Sequence, residues 1–544
     1  MRPPGFRGTF REDDLARAVY SEAAGIGREI PSAVAVPVDA ADVVSLVVWA
    51  AATGTALVPR GSGSSMAGGA IGSGVVVDLS RIKHLSRIDE NARTVWVDPG
   101  VVWSTLDVAA RRKGLRLPVD PSSGSFCTLG GMVATNASGA RTLRHGPTRA
   151  WVNAVDCVFS DGDRAVITRG EAPPTHIEAV KRFVNDAHAA IVAADRKKPI
   201  RHEGVRKESS GYGVHEYAEN ADIVDLIVGS EGTLAIIVAI QFSLAPVAGA
   251  TSSVLGSFPS LEKAAIAASK AAAAGASACE MLDRTFLGYA AAETTQARFG
   301  GRLDAAEAIL LAEVEGDTPA QAADSARKLS AAFSAAGATA CEVALTPEAE
   351  HELWKVRHAA SPILAALEDL TSMQFIEDGA VPLEKLPDYV EGVRGALASR
   401  NMDGVIFGHA GDAHVHVNPL IDVGKPEWRA DVSGLLEDVV SLTARLGGTL
   451  TGEHGDGRLR APLLDRVWPR EAVKSFAMVK KAFDPANIFN PGVKVPLPGQ
   501  NPIGNIKYDP ALAALPAEAR AALDHLTKAR DYSAFRLSLV GGSS

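Results

Sequence analysis

At 544 residues the chain exceeds what a single hydrophobic core fills, so two or three domains are expected. Its 47% apolar and 22% charged residues are those of an ordinary globular protein, and 55 basic against 64 acidic residues give a net charge of -9. That balance argues against a general binder of nucleic acid or of anionic membranes.

Met1-Arg2-Pro3-Pro4-Gly5 leads into a charged segment without the apolar core of a signal peptide. The alanine-rich runs are broken by Lys or Glu before they reach the length of a membrane span. A cytoplasmic protein is expected, with peripheral membrane association left open. Cys127, Cys157, Cys279 and Cys341 lie far apart, and no two have CxxC spacing. Neither an iron–sulfur cluster nor a Cys-ligated zinc is therefore encoded.

In chain order, an extended segment at 30–37 precedes a helix over 40–52, whose acidic start at Asp39 and Asp42 suits the helix dipole. A short apolar strand at 57–60 then runs into Gly61-Ser62-Gly63-Ser64-Ser65-Met66-Ala67-Gly68-Gly69. Such a loop is either a flexible turn or a set of unobstructed backbone N–H groups able to wrap a pyrophosphate. Strands are predicted at 74–79 and 93–98, and a helix over 103–113 that stops at Gly114. A second run of small and hydroxyl residues spans 120–140. A packed core does not call for it; a flat cofactor lying against the backbone does, because any Cβ would hold it off. A strand over 152–161 closes at Asp161-Gly162-Asp163, a hairpin signal. A third small-residue site, Gly229-Ser230-Glu231-Gly232-Thr233, opens another strand.

These three segments resemble, in order and spacing, the FAD-binding domain of the vanillyl-alcohol-oxidase/p-cresol-methylhydroxylase type. The Rossmann dinucleotide fingerprint is absent, so NAD is not expected. The resemblance implies FAD contacts from Arg60, Gly61, Ser62, Gly63, Ser64, Ser65 and Gly69. It implies further contacts from Pro121, Ser122, Gly124, Thr128, Gly131, Thr135, Asn136 and Gly139, and from Glu231, Gly232, Ile236 and Asn490. Relatives with covalent flavin carry a histidine or cysteine in the matching segments. The loop at 60–70 has no histidine, and Cys127 reads as a core thiol, so non-covalent FAD is expected.

After residue 247 the texture changes. Strand, helix, strand at 254–282 and again at 308–345 match the split β-α-β pattern of a ferredoxin-like sheet. A strand is predicted over 375–382 and a helix over 427–446. The expected class is α+β: a two-part FAD domain at 1–247, a ferredoxin-like cap at 248–445, a return to the FAD domain at 446–495, and a tail at 496–544 to which the sequence assigns no role.

Two clusters carry the chemistry. In Gly408-His409-Ala410-Gly411-Asp412-Ala413-His414-Val415-His416-Val417-Asn418, strict alternation from His414 puts His414, His416 and Asn418 on one face of a strand and the valines on the other. Some 35 residues later comes Gly452-Glu453-His454-Gly455. Two histidines and a glutamate are a common set of three ligands that leaves a divalent metal an open position. His409, His416 and Glu453 would supply it.

The first cluster resembles the Gly-His-x-Gly-Asp-x-x-x-His signature of FAD-linked D-2-hydroxyacid dehydrogenases, the group of D-lactate dehydrogenase, the glycolate oxidase flavin subunit and D-2-hydroxyglutarate dehydrogenase. That resemblance makes His409, His416 and Glu453 metal ligands (zinc, or manganese or iron), Asn418 a substrate contact and His454 the base. Arg357, in a Trp-x-x-Arg segment like the family's, would hold the substrate carboxylate, with Ser361 one turn on. The family commonly has Gly-Asn where this chain has Ala413-His414. His414 is open as an extra ligand, a substrate contact or a bulky neighbour, and a site-lining role is the reading preferred. Ile376-Glu377-Asp378 stands where some relatives acting on dicarboxylates place a lysine, which argues against their way of selecting 2-hydroxyglutarate. The expected partners are a small 2-hydroxy acid and a separate electron acceptor: an iron–sulfur protein, an electron-transfer flavoprotein, a quinone or a cytochrome. An oxygen-reducing oxidase, a flavin subunit inactive alone and a homodimeric assembly stay open.

Overall fold

The computed structural model describes residues 2–290, 306–358, 370–530 and 532–541. Its N-terminal sheet runs Thr9–Arg11, Ala33–Val36, Val75–Asp78, Leu57–Arg60, and the last three strands are parallel. Helix Ala40–Thr53 makes the crossover between two of them. The Asp39 carboxylate accepts from the Asp42 amide at its start, and Gly54 ends it with a left-handed φ of 67°. Val43, Leu46, Val47 and Ala50 recur at helical spacing and are fully buried in the core beneath the sheet. The glycine-serine loop leaves the carboxyl end of Leu57–Arg60, the side on which parallel α/β sheets hold ligands.

A second, antiparallel sheet follows in the order Thr94–Val97, Ile236–Ser243, Val152–Val158, Arg164–Thr168. Its last pair is the hairpin expected from Asp161-Gly162-Asp163.

The remaining large sheet begins as the expected ferredoxin-like unit. Ala250–Phe258, Ala278–Asp283, Ala308–Gly316 and Ala340–Ala344 pair in spatial order fourth, first, third, second. Helices Leu261–Ala273 and Pro319–Ala335 cover one face. The hairpin Asp403–His409/His414–Ile421 then extends the sheet from the edge of Ala278–Asp283, pairing Glu280 with His409. Val415 and Val417 join the helix-covered core, as the alternation requires, and the histidines take the other face.

The strand expected over 375–382 is corrected. Within 375–382, only Gly379–Ala380 pairs with the histidine strand. The preceding turn spends its side chains on backbone groups instead: Asp378 accepts from the amides of Glu453 and His454 at 3.1 and 2.9 Å.

The C-terminal segment has a place. Helices Ala517–Ala529 and Ala534–Leu539 bury Ala519, Ala522 and Leu537 against Tyr20, Val34, Val58 and Val76. Among the described residues, no helix is long and apolar enough to cross a membrane.

Glu231 ties the sheets together. Its carboxylate accepts from the amides of Asp456 and Gly457 and pairs with Lys494 at 3.1 Å. Gly457 has φ 53°, and a Cβ there would lie 2.0 Å from the Ala67 carbonyl oxygen. Gly457→Ala should therefore destabilise the fold by about 2 kcal/mol or more, from left-handed strain plus a backbone clash. A lowered urea midpoint checks this; an unchanged midpoint refutes it.

Candidate active site

The three small-residue segments line one cleft of about 1160 Å³, and Glu453 and His454 stand in the same wall. The structure brings Arg60, Gly61, Ser62, Gly63, Ser64, Ser65 and Gly69 to it, with Pro121, Ser122, Thr128, Gly131, Thr135, Glu231, Gly232 and Ile236. It leaves four expected contacts behind the wall. Gly124 and Gly139 are packing glycines: an added Cβ would meet the Trp103 ring at 2.7 Å or the Asp120 carbonyl at 2.3 Å. Asn136 is a left-handed cap at φ 51° whose side chain accepts from the Arg149 amide. Asn490 is a strut, donating to the carbonyls of Gly69 and Glu231 at 2.9 and 2.8 Å.

Two buried arginines stand behind the glycine-serine loop. Arg60 donates to the carbonyls of Tyr20, Glu22 and Ala70. Arg536, from the terminal helix, donates to the Ser62 carbonyl at 3.0 Å. Both guanidinium groups lie 5.3 Å from the Tyr20 ring centre. Burial and the Arg536 charge push Arg60 down to about 9. An anion in the loop relieves that repulsion. Sequence reasoning missed Arg536, because nothing in a tail helix announces which loop it will meet.

The second cluster sits deeper. His409 Nε2 lies 3.4 Å from His416 Nε2, and each lies 3.5 Å from Glu453 Oε1. His409 donates from Nδ1 to Glu280 Oε1 at 2.5 Å, and His416 from Nδ1 to the Glu377 carbonyl at 2.8 Å. Each ring therefore turns its Nε2 toward the other and toward a carboxylate. Groups so placed need a cation among them, a proton on His409 or a metal ion. Ligands about 2.1 Å from a tetrahedral ion stand about 3.4 Å apart, so the triangle has the dimensions of a zinc-type set. The donor set fits a divalent metal.

Around this triangle lie residues that the sequence did not single out. Glu280 links His409 to Arg357, whose Nε donates to it at 2.7 Å. Lys207 Nζ and Ser138 Oγ donate to Glu453 Oε2 at 3.1 and 2.7 Å. Arg460 pairs with Glu377 and Asp378. One signal was available: Glu280 is a lone acid in the apolar run Cys279-Glu280-Met281-Leu282, and such acids are buried only with partners.

Four buried carboxylates (Glu280, Glu377, Asp378 and Asp412) and the partly buried Glu453 face three cationic side chains, Arg357, Arg460 and Lys207. Burial alone would lower the imidazole of His409, yet Glu280 outweighs it and raises it to about 9; Asp378 and Glu377 do the same for His454. Burial instead keeps His414 and His416 neutral. Protons thus balance the surplus carboxylates in part, and a dication would serve as well while freeing both imidazoles.

Asn418 is buried, and its amide has no partner among the described residues. The Arg357 guanidinium lies 4.8 Å from the Phe407 ring centre, which in turn packs on His416 at 5.3 Å, and its Nη groups have no partner among the described residues. Ser361 lies outside the described residues. His454 stacks on His416 with centroids 5.5 Å apart. Its Nδ1 faces Glu377 Oε1 at 3.2 Å, so a proton held there leaves Nε2 as the basic nitrogen. His414 is fully buried and donates from Nε2 to Asp378 at 2.8 Å. It lies beside the triangle, with Nδ1 4.0 Å from Glu453 Oε2.

Comparisons with known proteins agree with this architecture. Residues 31–168 match the FAD binding domain, and residues 249–493 match the C-terminal domain of FAD linked oxidases. The glycolate oxidase subunit GlcD of Bacillus subtilis is 28% identical over 492 residues, covering 89% of this chain and 93% of that protein. The D-lactate dehydrogenase of Archaeoglobus fulgidus is 29% identical, over 80% of this chain and 84% of its own. The D-2-hydroxyglutarate dehydrogenase of Pseudomonas putida is 28% identical over 90% of this chain, which spans 51% of it. Among solved structures, 4-ethylphenol oxidase from Gulosibacter chungangensis superposes with a TM-score of 0.65 at 17% identity, covering 90% of this chain and 94% of that one, and shows a shared fold. The chain belongs to the FAD-linked oxidase family, as an FAD-linked oxidoreductase of the glycolate, D-lactate and D-2-hydroxyglutarate group.

Proposed function

We propose that the protein oxidises a small D-2-hydroxy acid to the 2-oxo acid, with non-covalent FAD in the cleft and a divalent cation held by His409, His416 and Glu453. One observation carries this reading: Glu453 and His454 stand in the wall of the cleft lined by the glycine-serine loop, so the ligand triangle opens toward the flavin site. FAD supplies a hydride acceptor at N5. The cation supplies Lewis acidity at the substrate hydroxyl, lowering its pKa.

The chain's own residues do the rest. His454 Nε2 takes the hydroxyl proton, with Glu377 and Asp378 fixing the ring and stabilising the imidazolium that forms. Arg357 offers its Nη edge, which has no partner among the described residues, to the substrate carboxylate, and its Nε bond to Glu280 sets the angle of that fork. The Asn418 amide, which has no partner among the described residues, hydrogen-bonds substrate. Arg60 and Arg536 hold the glycine-serine loop in shape for the pyrophosphate. Burial pushes the Cys127 thiol to about 11, so no thiolate is at hand for a covalent flavin link. A separate acceptor reoxidises the flavin.

The test is anaerobic bleaching of the flavin by a panel of D- and L-2-hydroxy acids, with and without a chelator. Bleaching by a D-acid that the chelator abolishes is expected. Indifference to the chelator removes the metal role; no bleaching by any acid removes the substrate class. Glu280→Gln, which loses the charge that orients His409 and Arg357, should weaken metal affinity about 10- to 100-fold, read by chelator competition.

A further inference from the structure

We infer that His414 is a fourth protein ligand to the same metal, through Nδ1. This rests on the metal reading proposed above and goes beyond its three-ligand set.

The argument is one of hydrogen-bond accounting. His409 and His416 each give one ring N–H to a fixed acceptor and turn the other nitrogen inward. His414 follows the same pattern. Its Nε2–H goes to the Asp378 carboxylate at 2.8 Å, which leaves Nδ1 as a bare acceptor. Metal-bound histidines characteristically make such a bond with the nitrogen not bound to metal. The side chain is 0% exposed, and Nδ1 has no hydrogen-bond partner among the described residues.

What Nδ1 faces is another acceptor. Glu453 Oε2 lies 4.0 Å away, on the carboxylate whose Oε1 meets His409 and His416. The nearby donors point elsewhere: Ser138 Oγ donates to Glu453, and Lys207 Nζ donates to Glu453 and the Gly139 carbonyl and lies 3.8 Å from Asp412. The ligating atoms of His409, His414, His416 and Glu453 all lie within 4.8 Å of one another. Gly452 allows this placement, because a Cβ there would come 2.6 Å from the His414 ring. A bare imidazole nitrogen and a carboxylate oxygen do not turn toward each other in a dry site without a cation to share. Three imidazoles and one carboxylate would also favour a metal that accepts five or six ligands, since the substrate must still bind.

The experiment loads the FAD holoprotein with cobalt(II) and counts the ring N–H resonances shifted by the paramagnetic ion. Wild type should show three, one for each imidazole, and His414→Asn two. Zinc competition with a chelator should show that His414→Asn binds at least about 100-fold more weakly, with flavin content unchanged. Two shifted N–H resonances in the wild type, or equal zinc affinity in His414→Asn, would overturn the fourth ligand and leave Nδ1 to a water, with the three-ligand reading intact. A wild type that takes up no metal overturns both. If the variant fails to fold, the wild-type count alone decides.

Discussion

Replacing His454 by glutamine should slow flavin reduction by about 10²- to 10⁴-fold while the protein keeps its FAD. Glutamine can still meet Glu377 but has no basic nitrogen. The geometry leaves little redundancy. His454 Nδ1 is held by Glu377 at 3.2 Å and Asp378 at 3.6 Å, and its Nε2 lies 3.7 Å from Glu453 Oε1. The other imidazoles are committed: His409 to Glu280, His416 to the Glu377 carbonyl and His414 to Asp378. None can turn to take the proton without breaking a buried bond. Stopped-flow bleaching under anaerobic conditions measures the step directly. A fall of less than about tenfold would assign the proton to another group.

His416→Ala should abolish turnover, by about 10³-fold or more, and remove the bound metal without removing the flavin. His416 supplies one corner of the triangle but is not part of the cleft wall, whereas Glu453 and His454 are. With that corner gone, His409, Glu453 and the inferred ligand His414 are left without the imidazole that lies 3.4 Å from His409 and 3.5 Å from Glu453, and the weakened set should release the metal. Metal analysis, flavin absorbance and turnover on one preparation separate the outcomes. Loss of flavin together with activity would make the histidine strand structural. Retained metal with full activity would show that the cation sits elsewhere.

Much of the site was legible because its signals are local. The alternation from His414 to Asn418 sets which side chains share a face, whatever the strand packs against. The glycine-serine run after Leu57–Arg60 is likewise local, since side-chain-free backbone is a property of the residues themselves. The ferredoxin-like unit was legible from two strand-helix-strand periodicities in a row. At Gly124 and Gly139 the sequence does not tell a glycine that admits a cofactor from one that admits a neighbouring ring or carbonyl; in the fold an added Cβ would meet Trp103 or Asp120. The segment at 375–382 misled for a related reason: its apolar ends read as a strand, while Glu377 and Asp378 bind amides and arginines contributed some 75 residues later.

By itself the sequence determined which histidines and carboxylates cluster, the face they share, the glycine-rich loop and the order of the two α+β units, because composition and period act within a few residues. Only the tertiary structure decided what surrounds them. It set Glu280 beside His409 by strand pairing, brought Lys207 and Ser138 to Glu453, and placed Arg536 behind the glycine-serine loop. It also buried the His414 imidazole beside Glu453, with an Nδ1 that has no hydrogen-bond partner among the described residues. Those placements depend on partners hundreds of residues apart, and the cost of burying each charge without its partner is what selects them.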